Sequence, residues 1–467
     1  MSPPLTISHL LSTHSDPSTQ SNRVDISTSK KILPTAFILP NPSFNKLILD
    51  KISYQKPLIL TSFSFDDQRQ FLSGNQKFHS LKAFQTDLNP IGFDLNQSIS
   101  DLILRDLSFD QGIDPILLGL YDFLETSDLD NRLQLYRRIC QTQIITWRGL
   151  MAKLSSSIYE SSSSETWQMN VMLVNGTIYI EDAFEFPKPP EPIIPTYYGY
   201  SYETLMTNKK FQNVNTNSEW GCIVKTNLNG IKIILSGEVD CVRPEALDAI
   251  QGKPPSTTNI DPIEFIEIKN VSKLTNDRQR WTMHRFKMLK FWLQSFLLGT
   301  PLVHVGFRDQ EGIVCETTSY KTEEIPKIVK RDCAPAGRWS ATLCLENGFK
   351  ILSFLINHLN PNQNDQLKFY EDQLQSICLS QSNSQDEIID SFDFNQWKLW
   401  PVYRLKFTCG NRQRTQPSQI ELIQLDYENE ILNQVQSHKS QNEQRIGFLP
   451  IWWIKFQIKM KTALMKK

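Results

Sequence analysis

The 467-residue chain lacks the features that most directly assign a protein to a class, and each absence excludes something. None of its eight cysteines (140, 222, 241, 315, 333, 344, 378 and 409) belongs to a Cys-x-x-Cys pair, which argues against structural zinc and against a disulfide framework. No run approaches the ~20 apolar residues of a membrane span. The polar stretch from Met1 to Lys30 holds no apolar core of signal-peptide length. Charge of one sign is not in excess: 49 Lys and Arg stand against 50 Asp and Glu, so any nucleic-acid surface must be local. No Walker-type phosphate loop, dinucleotide fingerprint or Ser-His-Asp arrangement occurs, and no internal repeat. These absences together predict a soluble, intracellular, reduced protein with no membrane partner.

What is present is a pair of acidic motifs in mid-chain, Gly237-Glu238-Val239-Asp240 and Phe265-Ile266-Glu267-Ile268-Lys269. Strand side chains alternate faces, so Glu238 and Asp240 point one way, as do Glu267 and Lys269. An isolated Glu-x-Lys is ordinarily a solvated strand face. Here the run from Ile231 to Cys241 is apolar around its Ile-Ile-Leu centre and reads as a buried strand with its charges near one end. Carboxylates gathered in a partly dry site repel one another unless a hard cation such as Mg²⁺ lies between them. A lysine beside such a cation can hold a phosphate oxygen or orient an attacking water. The pattern points to cleavage of a phosphodiester or phosphoanhydride.

Around this centre, residues 1–30 read as a disordered polar leader and 31–467 as one domain with a Gln/Asn-rich insertion near 360–386. Helical spacing is expected over Asp114–Phe123 and Leu129–Leu150, the second ending in Thr146-Trp147-Arg148-Gly149. Trp167–Val174 and Thr177–Ile180 flank Asn175-Gly176 and predict a surface β-hairpin. Prolines from Pro187 to Pro195 lead into the tyrosine-rich Tyr197–Glu203 segment. A long amphipathic helix is expected from Asn276 to Leu298, stopped by Gly299 and Pro301. A buried strand Leu302–Phe307 follows, turned by Glu311-Gly312, and then helices over Trp339–Leu359 and Leu367–Cys378. Gly447–Phe456, with its adjacent tryptophans, reads as packed edge structure.

Several further residues have chemistry to offer. On the long helix Lys287, Lys290 and Gln294 form one stripe; it is either a solvated face or a wall of the acidic site, and a buried Gln294 would need a partner. Arg148 suits bidentate contact with a phosphate or a salt bridge to a core carboxylate. Glu203 ends a tyrosine run that either packs or stacks on nucleobases. His284 and His304 stand apart from any Cys or second His and read as structural.

Taken in order, Trp147-Arg148-Gly149, Gly199–Glu203, Glu238-Val239-Asp240, Glu267-Ile268-Lys269, Leu289–Phe296 and Gly306-Phe307-Arg308-Asp309 resemble the six motifs of the DXO family of RNA 5′-end decapping enzymes, in a fungal member's form. The likeness is close from Trp147 to Val314. It implies a mixed α/β (α+β) fold of two twisted mixed sheets packed together and flanked by helices, with a PD-(D/E)XK-like metal-nuclease core. It also implies Mg²⁺ or Mn²⁺ held by Glu203, Glu238, Asp240, Glu267 and the Ile268 carbonyl, with Arg148, Lys269 and Gln294 facing phosphate and water. Members remove incomplete caps or NAD caps, release pyrophosphate from 5′-triphosphate RNA, or degrade onward 5′ to 3′, all in mRNA quality control. Some nuclear members bind and stabilise a 5′ to 3′ exoribonuclease, so a mainly binding role is the first alternative and a DNA-processing nuclease the second. The nucleus is slightly favoured over the cytoplasm. One departure stands out: many relatives have Lys then Phe before the second-motif Glu, where this chain has Ser201 and Tyr202, removing a positive charge along the RNA path.

Overall fold

A β-branched apolar run feeds the interior of a large sheet, and the site follows from where that run ends. The computed structural model describes residues 35–39, 51–108, 111–160, 166–183, 193–208, 211, 213–255, 258–379, 397–410, 417–437, 439 and 443–466. The leader expected over 1–30, most of the proline-rich stretch and part of the Gln/Asn-rich insertion lie outside them.

The larger sheet has ten strands: β1 (Thr35–Ile38), β2 (Leu58–Phe65), β3 (Phe71–Leu72), β4 (Ile144–Trp147), β5 (Trp167–Val174), β6 (Thr177–Asp182), β7 (Glu219–Leu228), β8 (Ile231–Glu238), β13 (Tyr403–Thr408) and β14 (Gln419–Gln424). Their spatial order is β1-β14-β13-β5-β6-β4-β8-β7-β2-β3. The sheet is mixed, because β4 runs parallel to both β6 and β8 while the other pairs are antiparallel. The smaller sheet has the order β12-β11-β10-β9, built from β9 (Cys241–Val242), β10 (Phe265–Ser272), β11 (Leu302–Arg308) and β12 (Val314–Lys321). Here β10 and β11 are parallel and the outer pairs antiparallel.

Alternation places the two faces of the large sheet in different cores. Ile233 and Leu235 of β8 join a core with β10, β11 and the helices α3 (Arg148–Ser156), α7 (Met288–Leu298) and α9 (Ala341–His358). Ile234 faces the opposite core, with α1 (Asp114–Glu125), α2 (Leu129–Cys140) and the C-terminal helix Ile451–Met465. A strand buried on both faces needs a continuous apolar run, which is what Ile233-Ile234-Leu235 supplies. Trp220 of β7 meets Phe265 of β10 edge-on at 5.6 Å, so the two sheets share a core. On the far face of the small sheet lies α4 (Ile193–Thr207), whose Tyr197, Tyr198 and Tyr202 cluster with Cys241, Ile266 and Ile268.

The structure corrects several expectations. The helix expected over Leu129–Leu150 is three elements, α2, β4 and α3, since the short apolar run Ile144-Ile145-Thr146-Trp147 becomes a buried parallel strand that periodicity cannot tell from helix. Asn175 and Gly176 do form the tight turn, with φ of 54° and 74°. The hairpin is not at the surface, however: β13 flanks β5 and β4 flanks β6. The strand expected from Ile231 to Cys241 breaks after Glu238, and the chain crosses into the small sheet as β9. The tyrosine run lies on α4, packed against the small sheet. The insertion contains a helix, Asp365–Leu379, with Leu367, Tyr370 and Leu374 buried. The adjacent tryptophans begin the C-terminal helix, where Trp453 is buried and donates to Tyr179 Oη at 3.1 Å. The long helix does run from Asp277 to Leu298, with a π-helical turn at Met283–Lys287, and Gly299 (φ 81°) ends it. No described helix is long and apolar enough to cross a membrane.

Candidate active site

The site forms because β9 is only two residues long. Val242 and Cys241 pair with Phe265 and Ile266, and beyond them, among the described residues, that edge of β10 has no neighbouring strand. The Ile268 N–H, facing this open edge, donates instead to Asp240 Oδ2 at 2.6 Å. The N–H and C=O of one strand residue point to the same edge, so the Ile268 carbonyl faces the site as well. Asp240 reaches this position because the chain is crossing between sheets, from Glu238 at the end of β8 to Cys241 at the start of β9.

Glu267 and Lys269 share the β10 face occupied by Phe265 and Val271, and so point into the space between the sheets. Lys269 Nζ lies 2.5 Å from Glu267 Oε1 and 3.7 Å from Asp240 Oδ2. Arg148, the first residue of α3, arrives from the large sheet. It donates to the Gln294 carbonyl at 3.0 Å and lies 3.6 Å from Glu267 Oε2. Gly237 leaves room for it: a Cβ there would sit 3.0 Å from Arg148 Cβ and 2.8 Å from Leu298. Of the two roles open to Arg148, the structure displays the ion pair to a buried carboxylate, which ties α7, β10 and α3 together. Gln294 is half-buried on α7, with its backbone carbonyl as the anchor for Arg148. Lys290 is exposed, whereas Lys287 is half-buried beside Arg308, its pKa lowered by burial and that like charge.

Glu203 enters from α4 on the other side of the small sheet. Tyr202 fixes this helix: its ring covers Gly306, where a Cβ would come within 2.3 Å, and its hydroxyl meets His304 Nε2 at 2.9 Å. His304 in turn meets Ser319 Oγ at 3.0 Å. His304 is thus structural, as its isolation in the sequence indicated.

Two residues around the site carry no local sequence signal. Lys82 lies 3.2 Å from Glu203 Oε1. Glu219 of β7, held by Arg69 at 2.5 Å and by Arg105 at 3.8 Å, acts on Glu238 from the solvent side. Only the cross-strand register, which pairs Gly221 with Glu238, reveals Glu219.

The electrostatics are unbalanced. Packed protein atoms, then Glu219, Glu203 and Asp240, hold the Glu238 carboxyl well above its usual range, although part of its surface reaches solvent. Burial, followed by the nearby Glu267, pushes Asp240 up to about 7 against the pull of Lys269. Glu267 also feels burial, but Lys269 and Arg148 overcome it and hold its carboxyl low. Among the described residues, no three acidic, histidine or cysteine side chains stand close enough to hold a metal ion together as placed. Glu203, Asp240 and Glu267 each face a lysine or arginine of the chain. The donor set nevertheless fits a hard divalent cation: carboxylate oxygens in excess and one strand carbonyl, with no thiolate or imidazole.

Mixed sheets meeting at an interrupted strand edge, with an acidic residue at the crossover and Glu-x-Lys on the next strand, define a PD-(D/E)XK-type nuclease. Residues 55–452 match the family described as RAI1-like PD-(D/E)XK nuclease. The chain belongs to that family. It is 31% identical over 325 residues to the decapping nuclease RAI1 of Neurospora crassa, covering 63% of this chain and 71% of that one. It is 30% identical over 322 residues to the decapping and exoribonuclease protein of Bos taurus, covering 65% and 75%. In fold it is similar to Candida albicans Rai1, solved in complex with pU5-Mn²⁺, with a TM-score of 0.62 at 18% identity over 91% of this chain and 100% of that one.

Proposed function

We propose that this chain is a divalent-metal-dependent hydrolase of RNA 5′ ends, with Glu203, Glu238, Asp240, Glu267 and the Ile268 carbonyl as ligands of Mg²⁺ or Mn²⁺. The observation that carries this reading is the convergence of four carboxylates from three segments on the open edge of β10, beside Lys269. Relatives named as decapping nucleases supply the substrate class, and the Candida albicans structure with pU5-Mn²⁺ supports both RNA and metal. When bound, such a cation contributes Lewis acidity and neutralises charge at phosphorus.

The chain's own residues do the rest. Lys269, anchored between Asp240 and Glu267, offers its ammonium to a phosphate oxygen. Arg148 fixes the Glu267 carboxylate from behind. Gln294, half-buried on α7, where its backbone carbonyl accepts from Arg148, orients water or phosphate. Association with a nuclear 5′ to 3′ exoribonuclease rests on the resemblance alone, and recovery of such an enzyme in a pull-down is its check.

The test is to offer the purified protein, with Mn²⁺, RNAs ending in triphosphate, unmethylated cap, methylated cap, NAD and monophosphate, and to identify each released product. Release of a cap, an NAD moiety or pyrophosphate from at least one RNA is expected. Inertness toward all five, with intact fold and metal present, refutes the assignment.

A further inference from the structure

Ser201, two residues before Glu203 on α4, is fully buried and uncharged. The cation beside Glu203 comes from elsewhere. Lys82 places its ammonium 3.2 Å from Glu203 Oε1, and the charges of Glu238 and Asp240 also bear on it. Burial alone would depress the Lys82 pKa, but the surrounding carboxylates outweigh it, so the group is firmly cationic.

The placement of Lys82 is built into the backbone. Val242 N–H donates to the Lys82 carbonyl at 3.0 Å, and Phe84 N–H donates to the Val242 carbonyl at 2.9 Å. Gln85 N–H donates to the Met206 carbonyl, near the end of α4, at 2.8 Å. The segment is therefore stitched along the outer edge of β9 and onto the helix carrying Glu203. Its side chain keeps some freedom, with 26% of its surface exposed. Lys269 occupies the opposite flank, against Asp240 and Glu267. The carboxylate group thus has one lysine at each end.

We propose that Lys82 is a phosphate-binding residue of this site that competes with the divalent cation for Glu203 and, when displaced by it, turns to a phosphate oxygen at the RNA 5′ end. The inference rests on the metal assignment above. An ammonium and a divalent cation cannot share one carboxylate oxygen without strong repulsion, and the flexible four-carbon stem lets the ammonium swing to the nearest anion. Lys82 would then supply, from a distant segment, the charge that position 201 does not.

The test compares the full-length protein with Lys82→Met and Lys82→Arg, each first shown to melt as the native protein does. Mn²⁺ binding is measured calorimetrically without RNA. Affinities for 5′-triphosphate and 5′-hydroxyl RNAs of one sequence are then measured with Ca²⁺ in place of Mn²⁺ to prevent turnover. Lys82→Met should bind Mn²⁺ about fivefold more tightly, as expected for loss of one partly exposed competing charge, and should lose most of the preference for triphosphate RNA. Lys82→Arg should retain that preference. Unchanged or weaker Mn²⁺ binding by Lys82→Met overturns the proposal, as does a triphosphate preference kept in full. Glu238→Ala/Asp240→Ala separates the two levels: if it binds Mn²⁺ as the native protein does, the metal assignment itself is at fault.

Discussion

Two charged clusters, one buried and one open to solvent, are built on opposite plans in this molecule. On the far side of the large sheet, Lys439 Nζ lies 2.7 Å from Glu181 Oε2, with both side chains at most 1% exposed. Asn170 donates to the other Glu181 oxygen at 3.2 Å, and Arg404 in turn donates to Asn170 at 3.0 Å. Each charge there is matched and its lone pairs are used, as a buried ion pair requires. At the edge of β10, by contrast, Glu203, Glu238, Asp240 and Glu267 crowd one another beside Lys82, Lys269 and Arg148, and two of the acids have raised pKa values. Matched charge is an architectural choice. Carboxyls crowded so that their pKa values rise are retained where a cation is meant to arrive, and perturbed carboxyls grouped at a strand edge mark a functional site for that reason.

The contrast breaks most completely at the acidic cluster. Replacing Glu238 and Asp240 together by Ala should abolish RNA 5′-end hydrolysis, a loss of at least about a thousandfold if both are metal ligands. The melting temperature should hold, because two mutually repelling carboxyls are removed from the site. A folded double variant with full Mn²⁺-dependent activity would sink the metal assignment.

Lys439→Met should produce the reverse pattern. Leaving Glu181 buried and unpaired should cost about 3–5 kcal/mol of stability, read from denaturant midpoints, while turnover per folded molecule stays unchanged. Pairing Lys439→Met with Glu181→Leu should restore much of that loss, since apolar replacement of a whole buried pair is often neutral. A loss of activity per folded molecule in Lys439→Met would show that the two clusters are coupled, and the comparison would fail.

The sequence exposed the part of the site that is local. Glu267 and Lys269 share a face by strand alternation alone, and the apolar run to Glu238 marks a buried strand ending in charge. The tyrosine run hid its helix because α4 is buried on nearly all sides from Ser201 to Thr207, so no single apolar stripe announces it. Arg148 was placed at the end of a helix that it in fact begins, because Ile144–Trp147 is too short for its period to be read. Lys82 carries no signal: a lysine between Leu81 and Ala83 acquires meaning only when its backbone pairs with Val242. The overall architecture was accessible through the order of the motifs, whereas the interruption of β9 that opens the site is a matter of pairing between distant segments.

A smaller effect sharpens the comparison, because the helix carrying Glu203 is anchored at Tyr202 by neutral polar groups. His304, buried between Tyr202 and Ser319, has its pKa pulled by burial from 6.5 down to about 4, so it is neutral at pH 7. In the unfolded chain it would take up a proton near 6.5, and between 6.5 and about 4 the unfolded state therefore binds more protons than the folded one. Stability from this group is complete above the unfolded pKa and is lost as pH falls through that window, by up to about 3 kcal/mol. Denaturant titrations of the native protein and of His304→Gln, from pH 7.5 down to 4.5, should show the native protein losing more stability on acidification. Equal losses would mean that His304 titrates freely and that the anchor of Glu203 does not depend on its neutrality. If the native protein alone weakens, Mn²⁺ affinity at pH 5 should also fall more in the native protein than in the Gln variant, because the loosened element is the one that carries a ligand.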